Sequence, residues 1–154
     1  MIRVMDIVSK NKRSKMMSGI KSKNTRPETL IRKALFSKGF RYRINVTQLP
    51  GKPDLVLKKH NAVIFINGCF WHLHNCHLFK WPSSRAEFWK KKITENSNRD
   101  KNNIEKLLNN GRRVLIIWEC SVKGKTRLVF DDMIDEIESW LNSEQKFKEI
   151  EGNN

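Results

Sequence analysis

Cys69, His72, His74, Cys76 and His77 crowd into the segment NGCFWHLHNCHLF, and Cys120 closes the run RVLIIWEC far downstream. Zinc takes four soft or borderline ligands in a tetrahedron, and Cys/His mixtures are its usual structural set. Three cysteines and one histidine would use all 3 cysteines of the chain. On spacing, His72, His74 and His77 are each within reach. The plain alternative is three buried thiols beside scattered histidines. If Cys120 is the fourth ligand, the ion ties this loop to the end of a distant strand and stiffens whatever is built beside it.

A second chemistry is open to the carboxylates. Asp54 follows Pro53 at the mouth of an expected hairpin, and a turn centred on His60 would set it opposite Ile66. Directly opposed residues of an antiparallel pair lie about 5 Å apart. The Asp54 carboxylate and the Ile66 main-chain carbonyl could then share a cation. Hard oxygen ligands with waters and a substrate phosphate suit magnesium. A turn aspartate capping its own backbone is the simpler reading. His72 lies a few residues beyond Ile66, where an imidazole could take a proton from an attacking water. Asp100, in SNRDKNN, could orient that imidazole or be a solvated helix charge. Glu28 has a local explanation as the third residue of a capping box opened by Thr25.

Phe70 and Trp71 sit beside two cysteines in a loop, and Trp89 interleaves with lysines in EFWKKK. Large aromatics in such places either pack under a metal site or stack against nucleobases. Met16 and Met17 lie in a basic arm, from which an unbranched apolar side chain could insert into a groove.

These groups need elements to position them. Residues 1–23 are rich in Lys, Arg and Ser without a sustained period, which predicts an arm that orders on its partner. TRPETLIRKALFSKGF reads as a helix with Leu30, Ile31, Ala34 and Leu35 on one stripe and Gly39 as its stop. FRYRINV is strand-like. DLVL and AVIFI, separated by KKHN, read as an antiparallel hairpin. A helix follows, opened by a Ser84–Glu87 capping box and ended by Gly111. RVLIIWEC is apolar enough for the middle of a sheet. A last helix uses Leu128, Ile134, Ile137, Trp140 and Leu141. The order predicts one α/β domain over 24–143 with a mixed central sheet, and a polar tail over 144–154.

The chain of 154 residues carries 31 Lys and Arg against 16 Asp and Glu, a net charge of +15. That excess points to a polyanionic partner, nucleic acid first. An anionic membrane is the rival, but neither a long apolar run nor a strongly amphipathic basic helix is visible. With no apolar segment after the basic start, and an odd cysteine count, the reading is a cytoplasmic protein without disulfides.

On SKMMSGIKSKNTRPE, LPGKPDLVL, VIFINGCFWHLHNC, LFKWPSSRAEFW, NRD and RVLIIWEC, the sequence resembles the very-short-patch-repair (Vsr) mismatch endonucleases over about residues 12 to 122. GCFWH followed by the downstream EC is the most specific part. The resemblance implies a restriction-endonuclease sandwich of the PD-(D/E)xK superfamily. It implies magnesium on Asp54 and the Ile66 carbonyl, with His72, its partner Asp100, and Glu28 in the catalytic site. It implies structural zinc on Cys69, His74, Cys76 and Cys120, and aromatics Phe70, Trp71 and Trp89 that intercalate while Met17 inserts from the arm. The implied reaction is a nick 5′ of the thymine in a T·G mismatch of double-stranded DNA, by a monomer. Asn67 departs from the pattern, standing where a second active-site histidine occurs; an amide cannot move a proton near neutral pH. The rivals are a restriction-type endonuclease that cuts undamaged DNA and a zinc-containing DNA-binding module without activity.

Overall fold

The computed structural model describes residues 26–153, so the basic arm, Met16, Met17 and Thr25 lie outside the described residues. Among the described residues there are three helices and one four-stranded sheet. They are helix α1 (Arg26–Ser37), β1 (Leu55–Leu57), β2 (Ala62–Asn67), helix α2 (Ala86–Asn109), β3 (Arg113–Trp118), helix α3 (Phe130–Leu141) and β4 (Phe147–Ile150). Strand order is β1-β2-β3-β4. β1 runs antiparallel to β2, while β2–β3 and β3–β4 are parallel, each joined by a helical crossover. The expected mixed sheet is present, with the apolar RVLIIW run inside it.

Alternation along the strands builds two cores. Leu55, Leu57, Ile64, Leu115 and Ile117 face α1 and α3, where Ile31, Leu35, Ile134, Ile137 and Trp140 meet them. Val56, Val63, Phe65, Val114, Ile116 and Trp118 face the other way, toward Leu107 of α2. The sheet is therefore covered on both sides, as parallel pairing requires. Leu30 belongs to neither core and is exposed.

Helix ends follow local chemistry where glycine is available. Gly39, at φ 95°, bonds its N–H to the Phe36 carbonyl, and the Phe40 N–H reaches Leu35. Gly111, at φ 81°, repeats this with Leu108, while Arg112 reaches Leu107. Both are paired C-terminal caps that use a left-handed residue. The start of α2 differs from expectation. Arg85 intervenes in the left-handed region at φ 54°, and no side chain caps the helix. An N-cap must directly precede the first helical residue, so Ser84 is one position too early for a capping box with Glu87.

Three other expectations change. The strand-like run after α1 makes a single bridge, Arg43 with Val56, because Asn45 turns left-handed at φ 58° and breaks the extended backbone. The hairpin register is one residue shorter than a turn centred on His60 would give: Leu55 pairs with Ile64 and Leu57 with Ala62. A 3-10 turn over Lys58–His60 closes on left-handed Asn61, so the loop's centre falls between Lys59 and His60. Finally, the polar tail contains a strand. Phe147–Ile150 pairs with β3 from Val114 to Ile117 and buries Ile150. Its charges, including Lys148 against Glu136 at 3.7 Å, are those of an edge strand with one wet face.

Arg113 locks the lower end of the sheet. Its guanidinium donates to the carbonyls of His60, Trp140, Leu141 and Gln145 at 2.9–3.2 Å. It thereby joins the hairpin turn to the last carbonyls of α3, which a helix leaves unsatisfied.

Candidate functional site

Asp54 reaches its place through a tight turn. Gly51 and Lys52 are both left-handed, at φ 78° and 51°. A Cβ on Gly51 would sit 3.1 Å from the Phe65 ring, so the turn packs directly on β2. Asp54 precedes β1, and its Oδ2 accepts the Ile66 N–H at 2.6 Å. The carboxylate thus continues the ladder past the end of β1 and meets Ile66 despite the shorter register. Burial pushes its pKa up from 3.8 to about 7, with Glu28 adding repulsion. The Ile66 N–H, His72 and Arg32 pull the other way. Glu28 is itself buried, in the first turn of α1. Asp54, Glu28, Arg32 and His72 therefore form one electrostatic unit, in which Arg32 was not singled out by sequence.

His72 lies in the loop after β2, its N–H bonded to the Gly68 carbonyl at 3.2 Å. Its Nδ1 stands 2.5 Å from Asp100 Oδ2 on α2. Asp100, which taken alone reads as a solvated helix charge, holds the imidazole by one nitrogen and leaves Nε2 as the nitrogen that can exchange a proton. Asn67, at the end of β2, is buried. It lines the same cavity, about 580 Å³, as His72, Asp100, Ser97 and Trp118.

A second cluster is built from the expected cysteines. Cys69, His74, Cys76 and Cys120 offer ligand atoms that all lie within 4.8 Å of one another and could hold a metal ion. His74 Nδ1 is 3.5 Å from Cys69 Sγ and 3.6 Å from Cys120 Sγ. A tetrahedron with Zn–S of about 2.3 Å and Zn–N of about 2.0–2.1 Å has S···N edges of about 3.5 Å, so the donor set fits zinc. Burial and mutual crowding raise the thiol pKa values of Cys69 and Cys120; a cation would reverse that, since metals bind the thiolate. His74 stacks on Trp118 with centroids 4.2 Å apart. The Cys69 N–H donates to Glu119 Oε1 at 3.0 Å, tying the loop to the end of β3. Of the three histidines open on spacing, His74 joins the cluster and His72 joins Asp100. His77 packs near Gly124, where a Cβ would lie 2.9 Å from its Nε2.

An aromatic surface joins the cysteine-rich loop to the start of α2. Phe70 contacts Trp71, Phe79 and Trp89 with centroids 5.2–5.8 Å apart, and Trp71 meets Trp89 at 5.8 Å. Phe79 continues to Trp81 and Trp89 to Phe88. Trp71, Trp81 and Phe88 are exposed despite their size. The expected trio is thus gathered on one surface. Phe79, Trp81 and Phe88 were missed, though LFKW and EFW placed them beside residues already singled out. Among the described residues no helix is long and apolar enough to cross a membrane.

Comparison with known proteins adds an independent line. A family model described as DNA mismatch endonuclease Vsr matches residues 5–78. The chain is 39% identical over 146 residues to the DNA mismatch endonuclease Vsr of Escherichia coli (strain K12), covering 95% of this chain and 94% of that one. It is 48% identical over 120 residues to the Type II nicking enzyme V.NmeAIP of Neisseria meningitidis serogroup A, covering 78% and 86% of the two chains. It is 40% identical over 117 residues to the Type II nicking enzyme V.XorIIP of Xanthomonas oryzae pv. oryzae, covering 76% and 86%.

Proposed function

The chain belongs to the DNA mismatch endonuclease Vsr family, and from that premise we propose that it is a magnesium-dependent nuclease that nicks double-stranded DNA 5′ of the thymine in a T·G mismatch. The observation that carries the reading is a pair of contacts: Asp54 held on the Ile66 N–H at 2.6 Å, and His72, on the loop that follows the same strand, held by Asp100 at 2.5 Å. A half-buried carboxylate pushed toward neutrality beside a second carboxylate is a site that positive charge would relieve. Asp54 and the Ile66 carbonyl would hold magnesium. The N–H and C=O of one strand residue leave the backbone on the same side, which turns that carbonyl toward Asp54. When bound, the ion lowers the pKa of coordinated water and stabilises charge on the phosphate.

The protein's own groups do the rest. Asp100 fixes the His72 ring, and His72 Nε2 accepts the proton of the attacking water. Glu28 and Arg32 set the charge around Asp54. Asn67 orients water or phosphate without moving a proton. Cys69, His74, Cys76 and Cys120 hold structural zinc, which fixes the loop bearing Phe70, Trp71 and His72. Phe70, Trp71 and Trp89 wedge beside the mispair, where unstacking is cheapest, and Met17 enters from the arm over residues 1–23. The folded core, which runs on through the edge strand to Ile150, takes the restriction-endonuclease architecture of the PD-(D/E)xK superfamily and acts as a cytoplasmic monomer. The net charge of +15 supplies salt-dependent affinity for the duplex.

The names of two relatives say that they nick, which supports cutting of one strand. The test is Asp54→Ala with magnesium and a T·G duplex. The account expects binding without nicking; nicking by the variant at the wild-type rate refutes it.

A further inference from the structure

We propose that the segment from β4 through Gly152 is a clamp on the metal centre, with Glu151 and Gly152 as positioning residues for its ligands. The inference rests on the reading of Cys69, His74, Cys76 and Cys120 as zinc ligands.

The segment touches that centre at three points. Glu149, in β4, accepts the Trp118 indole N–H at 3.0 Å, and Trp118 is the ring on which His74 stacks. Glu151 Oε1 lies 3.2 Å from His74 Nε2. The other ring nitrogen, Nδ1, faces the cysteine sulfurs. A histidine that ligates through Nδ1 donates its Nε2–H, and a carboxylate receiving that hydrogen fixes the tautomer and raises the ligand's basicity. The Gly152 N–H donates to Cys120 Sγ at 3.3 Å. That bond spreads charge from a thiolate onto the backbone without adding another ligand.

Gly152 is required by the closeness of this approach. A Cβ there would lie 2.4 Å from the Cys120 carbonyl oxygen, 2.4 Å from Thr126 Oγ1 and 2.7 Å from the Thr126 carbonyl oxygen. Two of those three atoms are backbone and have little room to give. The Asn153 N–H then bonds the Thr126 carbonyl at 2.8 Å, and Thr126 Oγ1 donates to the Cys120 carbonyl at 3.1 Å. The segment is thus pinned on both sides of the sulfur it serves.

The sheet makes the clamp dependent on folding of the edge. β4 pairs with β3 up to Ile117–Ile150, and Ile150 is buried in the core. Pairing of β4 delivers Glu151 and Gly152 to the two ligands that the cysteine-rich loop and the end of β3 contribute. Removal of residues 151–154 takes away the Glu151 and Gly152 contacts to His74 and Cys120 while keeping the residues of β4, Glu149 among them.

The test uses full-length, zinc-loaded protein and follows transfer of zinc to a competing chromogenic chelator. Loss of carboxylate partners of ligating histidines lowers metal affinity about 10- to 100-fold. Glu151→Ala should therefore weaken zinc retention about tenfold, with Glu151→Gln, which still accepts the Nε2–H, lying between it and wild type. Gly152→Ala and a chain shortened after Ile150 should approach a 100-fold loss. In cobalt-substituted protein, loss of the Gly152 N–H bond should shift the thiolate-to-cobalt absorption to lower energy. Zinc retention and cobalt spectra equal to wild type in the shortened chain overturn the clamp. Wild-type protein that carries no zinc, or carries it equally after Cys69→Ser and Cys120→Ser, overturns the metal reading itself.

Discussion

Replacing Asp54 by Asn should stabilise the magnesium-free protein while abolishing its activity. Burial raises the Asp54 pKa from 3.8 to about 7. Each tenfold change in proton affinity corresponds to about 1.36 kcal/mol, so keeping this carboxylate ionised in the fold costs about 4 kcal/mol. The sign follows from proton counting. Between pH 4 and 7 the folded state keeps a proton that the unfolded chain has lost, so wild-type stability falls by up to about 1.36 kcal/mol per pH unit and is level above that window. Asn is neutral throughout and can still accept the Ile66 N–H. Urea denaturation of both proteins, with zinc retained and magnesium omitted, should give equal midpoints near pH 4. A gap of about 4 kcal/mol in favour of the variant should open by pH 8. Magnesium at a hundredfold excess over its dissociation constant should then raise wild type by about 2.7 kcal/mol and leave the variant unchanged. A variant less stable than wild type at pH 8 would refute the reasoning, because Asp54 would then be a structural anion and not a strained ligand.

Other outcomes follow from the same geometry. The apparent magnesium affinity, read from nicking rate against metal concentration, should tighten as pH rises through about 7, the Asp54 value, because the cation displaces its proton. His72→Ala should lower the single-turnover nicking rate about 10²- to 10⁴-fold, and Asp100→Asn should lower it less, with duplex affinity unchanged in a binding assay. Trp71→Ala removes an exposed ring and should narrow the ratio of T·G to T·A binding about tenfold, a loss of one base stack, without moving the melting temperature. Arg113→Met removes the guanidinium donor to the carbonyls of His60, Leu141 and Gln145, and one of several donors to that of Trp140, which Ser143 also serves. It should destabilise the fold by about 3 kcal/mol in urea denaturation.

How much of this was legible in sequence depends on how local each signal is. The stops of α1 and α2 were readable because a glycine in the left-handed region acts within one turn, at Gly39 and Gly111. The strands of the two-faced core were readable because Leu55–Leu57, Ala62–Asn67 and Arg113–Trp118 are apolar on both faces. β4 was not, because FKEI carries a strand's alternation over only four residues among charges, and its partner is a strand more than thirty residues away. The hairpin register slipped by one because the 3-10 turn at Lys58–His60 is invisible to hydrophobic pattern. Asp54 still met Ile66 because a side chain can span the difference.

The site divides the same way. The cysteine-rich loop was legible as a ligand cluster that could hold a metal ion, since Cys69, His74 and Cys76 fall within eight residues. Spacing left three histidines open, and only the folded loop separates His74, beside the sulfurs, from His72, beside Asp100. Asp100 was open between orienting His72 and being a solvated helix charge, which only the tertiary contact decides; Arg32 and Glu151 could not be found, because each acts across the fold with no local trace. Trp81 and Phe88 were within reach, lying next to aromatics already noted.

The central claim is that one strand of mispaired DNA is cut by the group of Asp54, His72 and Asp100. Single-turnover cleavage of duplexes labelled on each strand, T·G beside T·A, tests it most directly in magnesium buffer. The account predicts a nick 5′ of the mispaired thymine on that strand alone, absent with T·A and absent with Asp54→Ala. Equal cutting of the two duplexes, or of the T·G duplex by Asp54→Ala, would contradict it.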